Sequence, residues 1–418
     1  LFLVNSLLIA LVPELLFGKV IVKAVVSRSY APFTLLAMHQ HKPLTILFSA
    51  GESSGDQHAA NMFLELKKHQ PDIKGIGMGA AKMAQAGIDI RYDSSNIAVI
   101  GVVEVIRHYR EIRRALTFIK SIISAERPDL LVCVDYKEFN FKLAKFAKQC
   151  GIKVLFYVSP QVWAWRPGRV KKYGKVIDMM AVIFPFETAY YDAENVPVRY
   201  VGHPSVDKVH AQHSKAEDMM QFKMDEKRPV AGILPGSRAN EIKRMLPVML
   251  KAAEKLQLSS PGLQFILPQA DSISDELLEG YLNQSPVKIT VVKNQPYDVI
   301  QCCDAVMTTS GTATLEIALL TVPMAIAYKL SPLTYWLGRW LVNTPFIGLP
   351  NIVAGKSIVK EFIQQDATAE NLAAEVNGIL TDEIYAIEMR ENLRQVKEQL
   401  GQGGGSKNMA ELALAMLF

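Results

Sequence analysis

The sequence predicts an α/β protein made of two Rossmann-like, doubly wound domains that face a central crevice. Three observations predict it. The chain has 418 residues, enough for two domains at roughly 100–200 residues each. Short, continuous apolar runs alternate with helical segments, as parallel strands buried on both faces require. That alternation occurs twice, before and after a polar, charged stretch from His210 to Arg228 with no strand signal.

The elements follow in chain order. Leu1 to Phe17 is apolar but interrupted by Pro13 and Glu14, too short and broken for a comfortable membrane span. It lacks the basic start and the small-residue cleavage site of a secretory signal. Residues 1–43 are expected to lie outside the core, with 1–37 a translated upstream extension and the working protein starting near Met38. A weak membrane anchor is the rival expectation. In the first domain, 44–209, the strand Thr45–Ala50 ends in Gly51-Glu52-Ser53-Ser54-Gly55-Asp56, and a helical pattern runs on to Lys68. Further strands are expected at Asp129–Val134, Lys153–Val158, Asp178–Ile183 and Val198–Val201. The glycine-rich run Gly75–Gly79 lacks the full dinucleotide fingerprint and receives little weight.

The domain boundary falls near residues 203–228. In the second domain, 210–400, strands are expected at Pro229–Leu234, Leu263–Leu267, Val287–Val291, Ala305–Thr308 and Val322–Ala327. The tail is helical from Thr368. Gly401-Gln402-Gly403-Gly404-Gly405 reads as a flexible joint before a last helix within 401–418.

Composition narrows the function classes. Half of the residues are hydrophobic and 21% are charged, which fits a large core and excludes disorder. The net charge of +5 suits an anionic ligand or membrane surface but is far from a nucleic-acid footprint. The four cysteines, Cys133, Cys150, Cys302 and Cys303, form no C-x-x-C pair. That usage fits a reducing cytoplasm and argues against a disulfide framework or a zinc site.

Several segments carry candidate chemistry. Gly236, Ser237 and Arg238 follow a strand and open a helix from Ala239 to Leu256. Free N–H groups, the helix dipole and a guanidinium at such a turn make a diphosphate cradle; a capped helix with a surface Arg would look the same. Ser310, Gly311 and Thr312 form a second junction of this type. Glu316 follows in the first turns of its helix, placed to accept the hydroxyls of a ribose or to sit on the surface as a dipole-stabilising carboxylate. Asp135 ends an apolar strand, the place for a general base on an acceptor hydroxyl or for a helix cap. Glu52, Ser53 and Asp56 suggest a polar loop at the crevice that holds an acceptor sugar or caps a helix. No Asp-x-Asp occurs, so Arg238 and helix dipoles would stabilise the leaving diphosphate. No His/Cys cluster has metal-ligand spacing; no metal and no cofactor are expected.

The run from Val102 to Leu116 is amphipathic. Val102, Val105, Ile106, Tyr109, Ile112 and Leu116 share a stripe flanked by Arg107, Arg110, Arg113 and Arg114. A membrane-surface helix fits this pattern, with Arg110 and Arg113 at the headgroups, and so does a core-packed helix with a solvated basic face. Trp163 and Trp165 would floor a sugar or acyl site, or belong to the core.

Taken together, Ser49–Asp56, Tyr157–Trp165, Leu234–Arg238, Ser310–Glu316 and Leu349–Gly355 resemble the successive motifs of lipid-A-disaccharide synthases, in the family's order and over nearly the whole chain from about Leu44. The resemblance implies a GT-B fold and an inverting, metal-independent transfer. It implies UDP-2,3-diacylglucosamine as donor, 2,3-diacylglucosamine 1-phosphate as acceptor, and a β-1,6 disaccharide 1-phosphate and UDP as products. It implies a homodimer bound peripherally to the cytoplasmic face of the inner membrane of a Gram-negative bacterium. Asp135 matches the family's proposed base. Asn351, expected to be catalytic, lies in the loop that reaches the reaction centre, where it would bind the donor or the diphosphate, and Asn140 joins Glu52, Ser53 and Asp56 on the acceptor side. One residue departs from the pattern: in Asp135-Tyr136-Lys137-Glu138-Phe139-Asn140, Lys137 stands where the family usually has Pro, which puts the fine geometry of that loop in doubt. The rival expectations are another UDP-sugar enzyme of this fold, such as a UDP-N-acetylglucosamine 2-epimerase, and a non-catalytic lipid- or nucleotide-binding relative.

Overall fold

The computed structural model describes residues 43–96, 108–164, 168–330 and 344–418. The expected extension, and Val102, Val105, Ile106 and Trp165, lie outside the described residues.

The first sheet has seven strands: β1 (Thr45–Ala50), β2 (Lys74–Gly79), β3 (Asp89–Asp93), β4 (Leu130–Val134), β5 (Lys153–Tyr157), β6 (Met179–Val182) and β7 (Val198–Tyr200). Their order across the sheet is β3-β2-β1-β4-β5-β6-β7, all parallel. Every residue of β1 and β4 is buried, which is why these strands read as unbroken apolar runs. The second sheet has six: β8 (Val230–Leu234), β9 (Gln264–Gln269), β10 (Ile289–Lys293), β11 (Ala305–Thr309), β12 (Met324–Tyr328) and β13 (Glu361–Ile363), in the order β10-β9-β8-β11-β12-β13. Helices connect the strands and cover the sheets, so the architecture is the expected pair of doubly wound domains.

Three strands escape the sequence reading. β2 is half glycine, against the usual β composition. β3 is an edge strand of alternating, mostly charged residues. β13 is only three residues long.

Strand order fixes where ligands bind. In each sheet the direction of winding reverses once, between β1 and β4 and between β8 and β11. Crevices open outside the carboxyl ends of strands at such switch points. Ala50 pairs with Val134 across the first, and Thr308 with Leu234 across the second. The loops after all four strands are those that carry the candidate residues.

The chain also returns to its beginning. The last helix, Gly405–Leu417, packs against the helix Ser53–His69. Its Met409, Ala410, Leu412 and Ala413 share one core with β1, β4 and β5. The glycine-rich joint before it is a fastened turn. The Asp207 carboxylate accepts the N–H groups of Gly404 at 2.6 Å and Gly405 at 3.1 Å. Gly403, at φ +86°, lies so close that a Cβ there would overlap Asp207 Oδ1.

Candidate functional site

At the first switch point β1 runs into Glu52 and β4 into Asp135, side by side. Asp135 and Tyr136 both adopt left-handed backbone, at φ +48° and +43°, a conformation costing about 1–3 kcal/mol per non-glycine residue. Asn140 offsets this cost. It is fully buried, and its Nδ2 donates to the carbonyls of Asp135 at 2.8 Å, Ser49 at 3.1 Å and Val134 at 3.3 Å. Ser49 Oγ donates to Asn140 Oδ1 at 2.6 Å, and the Asp135 N–H donates to the Tyr157 carbonyl at 3.0 Å. The backbone beneath Asp135 is thus fixed while its side chain remains partly exposed.

The charges here are unusual. Burial pushes Glu52 up to about 7, and the neighbouring Asp135 carboxylate adds to the shift against the opposing pull of Lys137. His58, one turn into the following helix, is lowered by burial although Asp135 opposes the change. Its ring meets Tyr157 edge-on at 5.7 Å. His203 is pushed down to about 3 by burial, with His58 adding to the effect. So Glu52 holds its proton near neutrality and both histidines resist taking one.

At the second switch point a cleft of about 740 Å³ is lined by Gly236, Ser237, Arg238, Ser310, Gly311, Thr312 and Glu316, among others. Both turns are present as the sequence suggests. Helices Ala239–Ser259 and Thr312–Leu319 begin there with no side-chain cap, so their positive ends face the cleft. Burial raises the Glu316 carboxyl above its usual range, with Lys208 pulling the other way, and Tyr297 Oη donates to Glu316 Oε1 at 3.3 Å.

Lys208 links the two halves. It acts electrostatically on His58 in the first domain and on Glu316 in the second, so the two switch points open onto one crevice.

Sequence reasoning missed Glu241, which organises the first cradle. Its Oε2 accepts the Ser237 N–H and its Oε1 holds the Arg238 guanidinium, both at 3.0 Å. One cradle N–H read as free is therefore occupied by the chain's own carboxylate. Glu241 follows Arg238 at helical i,i+3 spacing, and that spacing was the available signal. Gly236, at φ +111°, sits where a Cβ would overlap Glu241 Oε2.

Other expected ligand contacts turn out to be internal ties. Asn351 is fully buried. Its Oδ1 accepts the N–H groups of Ile358 (2.8 Å) and Val359 (3.0 Å), and its Nδ2 donates to Val359 O (2.9 Å) and Glu361 Oε1 (2.7 Å). It locks a loop and has no capacity left for a donor sugar. Glu361, also missed, takes the N–H groups of Ile347 and Gly348 as well. Asp56, also buried, accepts the N–H groups of Ala80, Lys82 and Met83, so it caps the start of another helix. Asn140 belongs to the support of Asp135. Ser53 is exposed at a helix start and Glu52, just before it, is half-buried. Lys137 is the first residue of the helix Lys137–Gln149, the position where proline is most at home, so a lysine there preserves the helix start.

Trp163 is buried against Phe186 with ring centroids 5.5 Å apart, a packing role. In the helix Tyr109–Glu126 the apolar stripe faces inward. Ile112 and Leu116 pack on a core that holds Ala115, Ile119 and Ile123. Ile112 is therefore not free to enter a membrane. Arg110, Arg113, Arg114 and the 45%-exposed Phe118 face outward instead. No helix among the described residues is long and apolar enough to cross a membrane.

A family model described as lipid-A-disaccharide synthetase matches residues 46–416. A lipid-A-disaccharide synthase from Geobacter metallireducens is 46% identical over 372 residues, covering 89% of this chain and 97% of that protein. Among solved structures, the glycotransferase of kitacinnamycin aligns with TM-score 0.61 at 14% identity, covering 90% of this chain and all of the other. A UDP-GlcNAc 2-epimerase from Neisseria meningitidis bound to UDP-GlcNAc aligns with TM-score 0.59 at 13% identity and the same coverage. These structures share the two-domain GT-B fold, and the sequence matches separate the chain from the epimerases: it belongs to the lipid-A-disaccharide synthase family of glycosyltransferases.

Proposed function

We propose that this protein joins UDP-2,3-diacylglucosamine to 2,3-diacylglucosamine 1-phosphate, releasing UDP and the β-1,6-linked disaccharide 1-phosphate. One observation carries the reading. A carboxylate on a strained, hydrogen-bonded loop stands at one switch point, two uncapped helix starts line a cleft at the other, and Lys208 acts electrostatically on residues of both.

In this reading the acceptor's 6-hydroxyl lies against Asp135. Asp135 takes its proton as the oxygen attacks the anomeric carbon. The bond to UDP breaks on the opposite face, which inverts the centre. Arg238 and the starts of the two helices stabilise the departing diphosphate, with Arg238 exchanging part of its contact with Glu241 for phosphate. Glu316 receives the ribose hydroxyls. Glu52, protonated near neutrality, donates a hydrogen bond to the acceptor and adds no second charge beside Asp135. Asn140 and Asn351 position loops and do not touch substrate. No metal takes part.

The outward arginines of the helix Tyr109–Glu126, with Phe118 among them, would hold the protein to an anionic membrane surface. In this reading, as the family resemblance implies, the protein works as a homodimer on acylated substrates at the cytoplasmic face of the inner membrane. A detergent-micelle assay with both substrates, run with and without EDTA, tests the reaction. Labelled disaccharide phosphate formed in EDTA supports it. Failure to form product in protein that still binds UDP overturns it, and turnover of UDP-N-acetylglucosamine alone replaces it with the epimerase reading.

A further inference from the structure

His213, Asp218 and Asp298 meet away from the crevice residues. His213 lies in the segment between the domains, Asp218 in the helix Lys215–Gln221 and Asp298 in the helix Pro296–Cys302. One ligand atom from each lies within 4.8 Å of the others. His213 Nδ1 is 3.2 Å from Asp218 Oδ1 and 3.9 Å from Asp298 Oδ1. Both carboxylates are buried, Asp218 completely. Asp218 Oδ1 has no hydrogen-bond partner, despite its closeness to the imidazole.

A buried carboxylate oxygen left without a hydrogen bond is costly. Lys215, on the same helix as Asp218, is turned to Asp304 at 3.2 Å. The other contacts orient the group. Gln301 Nε2 donates both to Asp218 Oδ2 and to the His213 carbonyl, and the Gln212 N–H donates to Asp298 Oδ1 at 2.6 Å. This is the outer shell that fixed ligands require. A tetrahedral zinc with bonds of about 2.0–2.2 Å separates its ligands by about 3.3 Å, close to the 3.2 and 3.9 Å seen here.

We propose that His213, Asp218 and Asp298 form a divalent transition-metal site that pins the segment between the domains to the wall of the second domain's cleft. One imidazole and two carboxylates suit zinc and its first-row neighbours. His213 is 43% exposed at its side chain, which leaves a path for the ion and room for water in the remaining position. The connection to the cleft runs along one helix. Pro296 and Ile300 line the cleft while Asp298, two residues from each, points to the other side. The ion is structural and takes no part in glycosyl transfer. Spacing in the sequence gives no hint of it, because Asp298 is 80 residues from Asp218.

The test is native mass spectrometry and thermal denaturation of the untagged full chain, stripped with chelator and titrated with zinc chloride. Wild type should bind one ion per chain and gain thermal stability as zinc is raised. His213→Ala and the milder His213→Gln, which keeps a polar side chain beside Asp218, should both lose the zinc-dependent gain and the bound ion, whatever their stability without metal. Gln301→Ala should weaken binding about 10–100-fold, as loss of an outer-shell partner does elsewhere. Equal binding by wild type and His213→Ala, or no zinc bound by wild type, would overturn the site and leave a histidine–carboxylate ion pair only. Because zinc binding is read without turnover, this outcome is independent of the glycosyl-transfer assay.

Discussion

Ser49 and Asn140 hydrogen-bond each other twice across the first switch point. Ser49 Oγ donates to Asn140 Oδ1 at 2.6 Å, and Asn140 Nδ2 donates back to the Ser49 carbonyl at 3.1 Å. The same Nδ2 reaches the carbonyl of Asp135. Asn140→Ala strands several buried acceptors, each costing about 1–3 kcal/mol. The variant should lose stability in urea and lose kcat with little change in UDP affinity. A kcat equal to wild type in folded Asn140→Ala would show that the loop needs no such support.

Asp135 and Arg238 should separate cleanly in kinetics. Asp135→Ala is expected to lose about two to four orders of magnitude in rate, the usual worth of a general base, with UDP binding retained by calorimetry. Arg238→Ala should weaken UDP binding first. Rates within a few-fold of wild type in both variants would remove the site assignment.

Gly236→Ala should damage the cradle without touching substrate chemistry. The new Cβ meets the Glu241 carboxylate that holds Ser237 and Arg238. Backbone forced from φ +111° adds strain of about 1–3 kcal/mol. UDP affinity should fall while the circular dichroism spectrum is unchanged. Unaltered UDP affinity would mean that Glu241 does not shape the binding turn.

Stability against pH has two opposed contributions. Glu52 is raised from 4.5 to about 7, so between those values the folded chain keeps a proton that the unfolded chain has released, and stability falls as pH rises. His203 is lowered from 6.5 to about 3, so in that window the unfolded chain binds the extra proton, and stability falls as pH drops. The slopes oppose each other between pH 4.5 and 6.5. Glu52→Gln should remove its part of the decline and make melting temperature rise more steeply with pH there. Superimposable pH profiles for the variant and wild type would contradict the raised Glu52.

Leu412 tests the return of the chain. It is buried in the core around β1, β4 and β5, far along the chain from those strands. Leu412→Ala should cost about 2–5 kcal/mol, read by chemical denaturation. A loss below 1 kcal/mol would mean that the last helix is an ornament on a self-sufficient domain.

Much of this was legible in the sequence, for identifiable reasons. β1, β4, β8 and β11 are buried on both faces, so their apolar runs stand out, and the loops at their ends carry the crevice residues. Glycine-rich β2 and the charged edge strand β3 give no such run. Asp135, Arg238 and Glu316 could be found because their neighbours in the chain mark strand ends and helix starts. Residue type could not reveal that Asn351 and Asp56 spend their polar atoms on distant backbone, since those partners lie at least seven residues away. Nor could it separate the inward Ile112 from the outward Phe118, because an apolar stripe looks the same whether lipid or core covers it.

The last helix of the chain lies in the first domain's core, and that reverses the order in which the two halves can be completed during synthesis. The second sheet, β8 to β13, and the helices that cover it up to Gln399 are all made before the last helix. The first sheet, although made first, waits with the Ser53–His69 helix uncovered until Gly405–Leu417 emerges. The nascent chain therefore carries an open apolar face through most of its own translation. A ribosome stalled before Gly405 would display the second sheet with its helices beside a first sheet still lacking one.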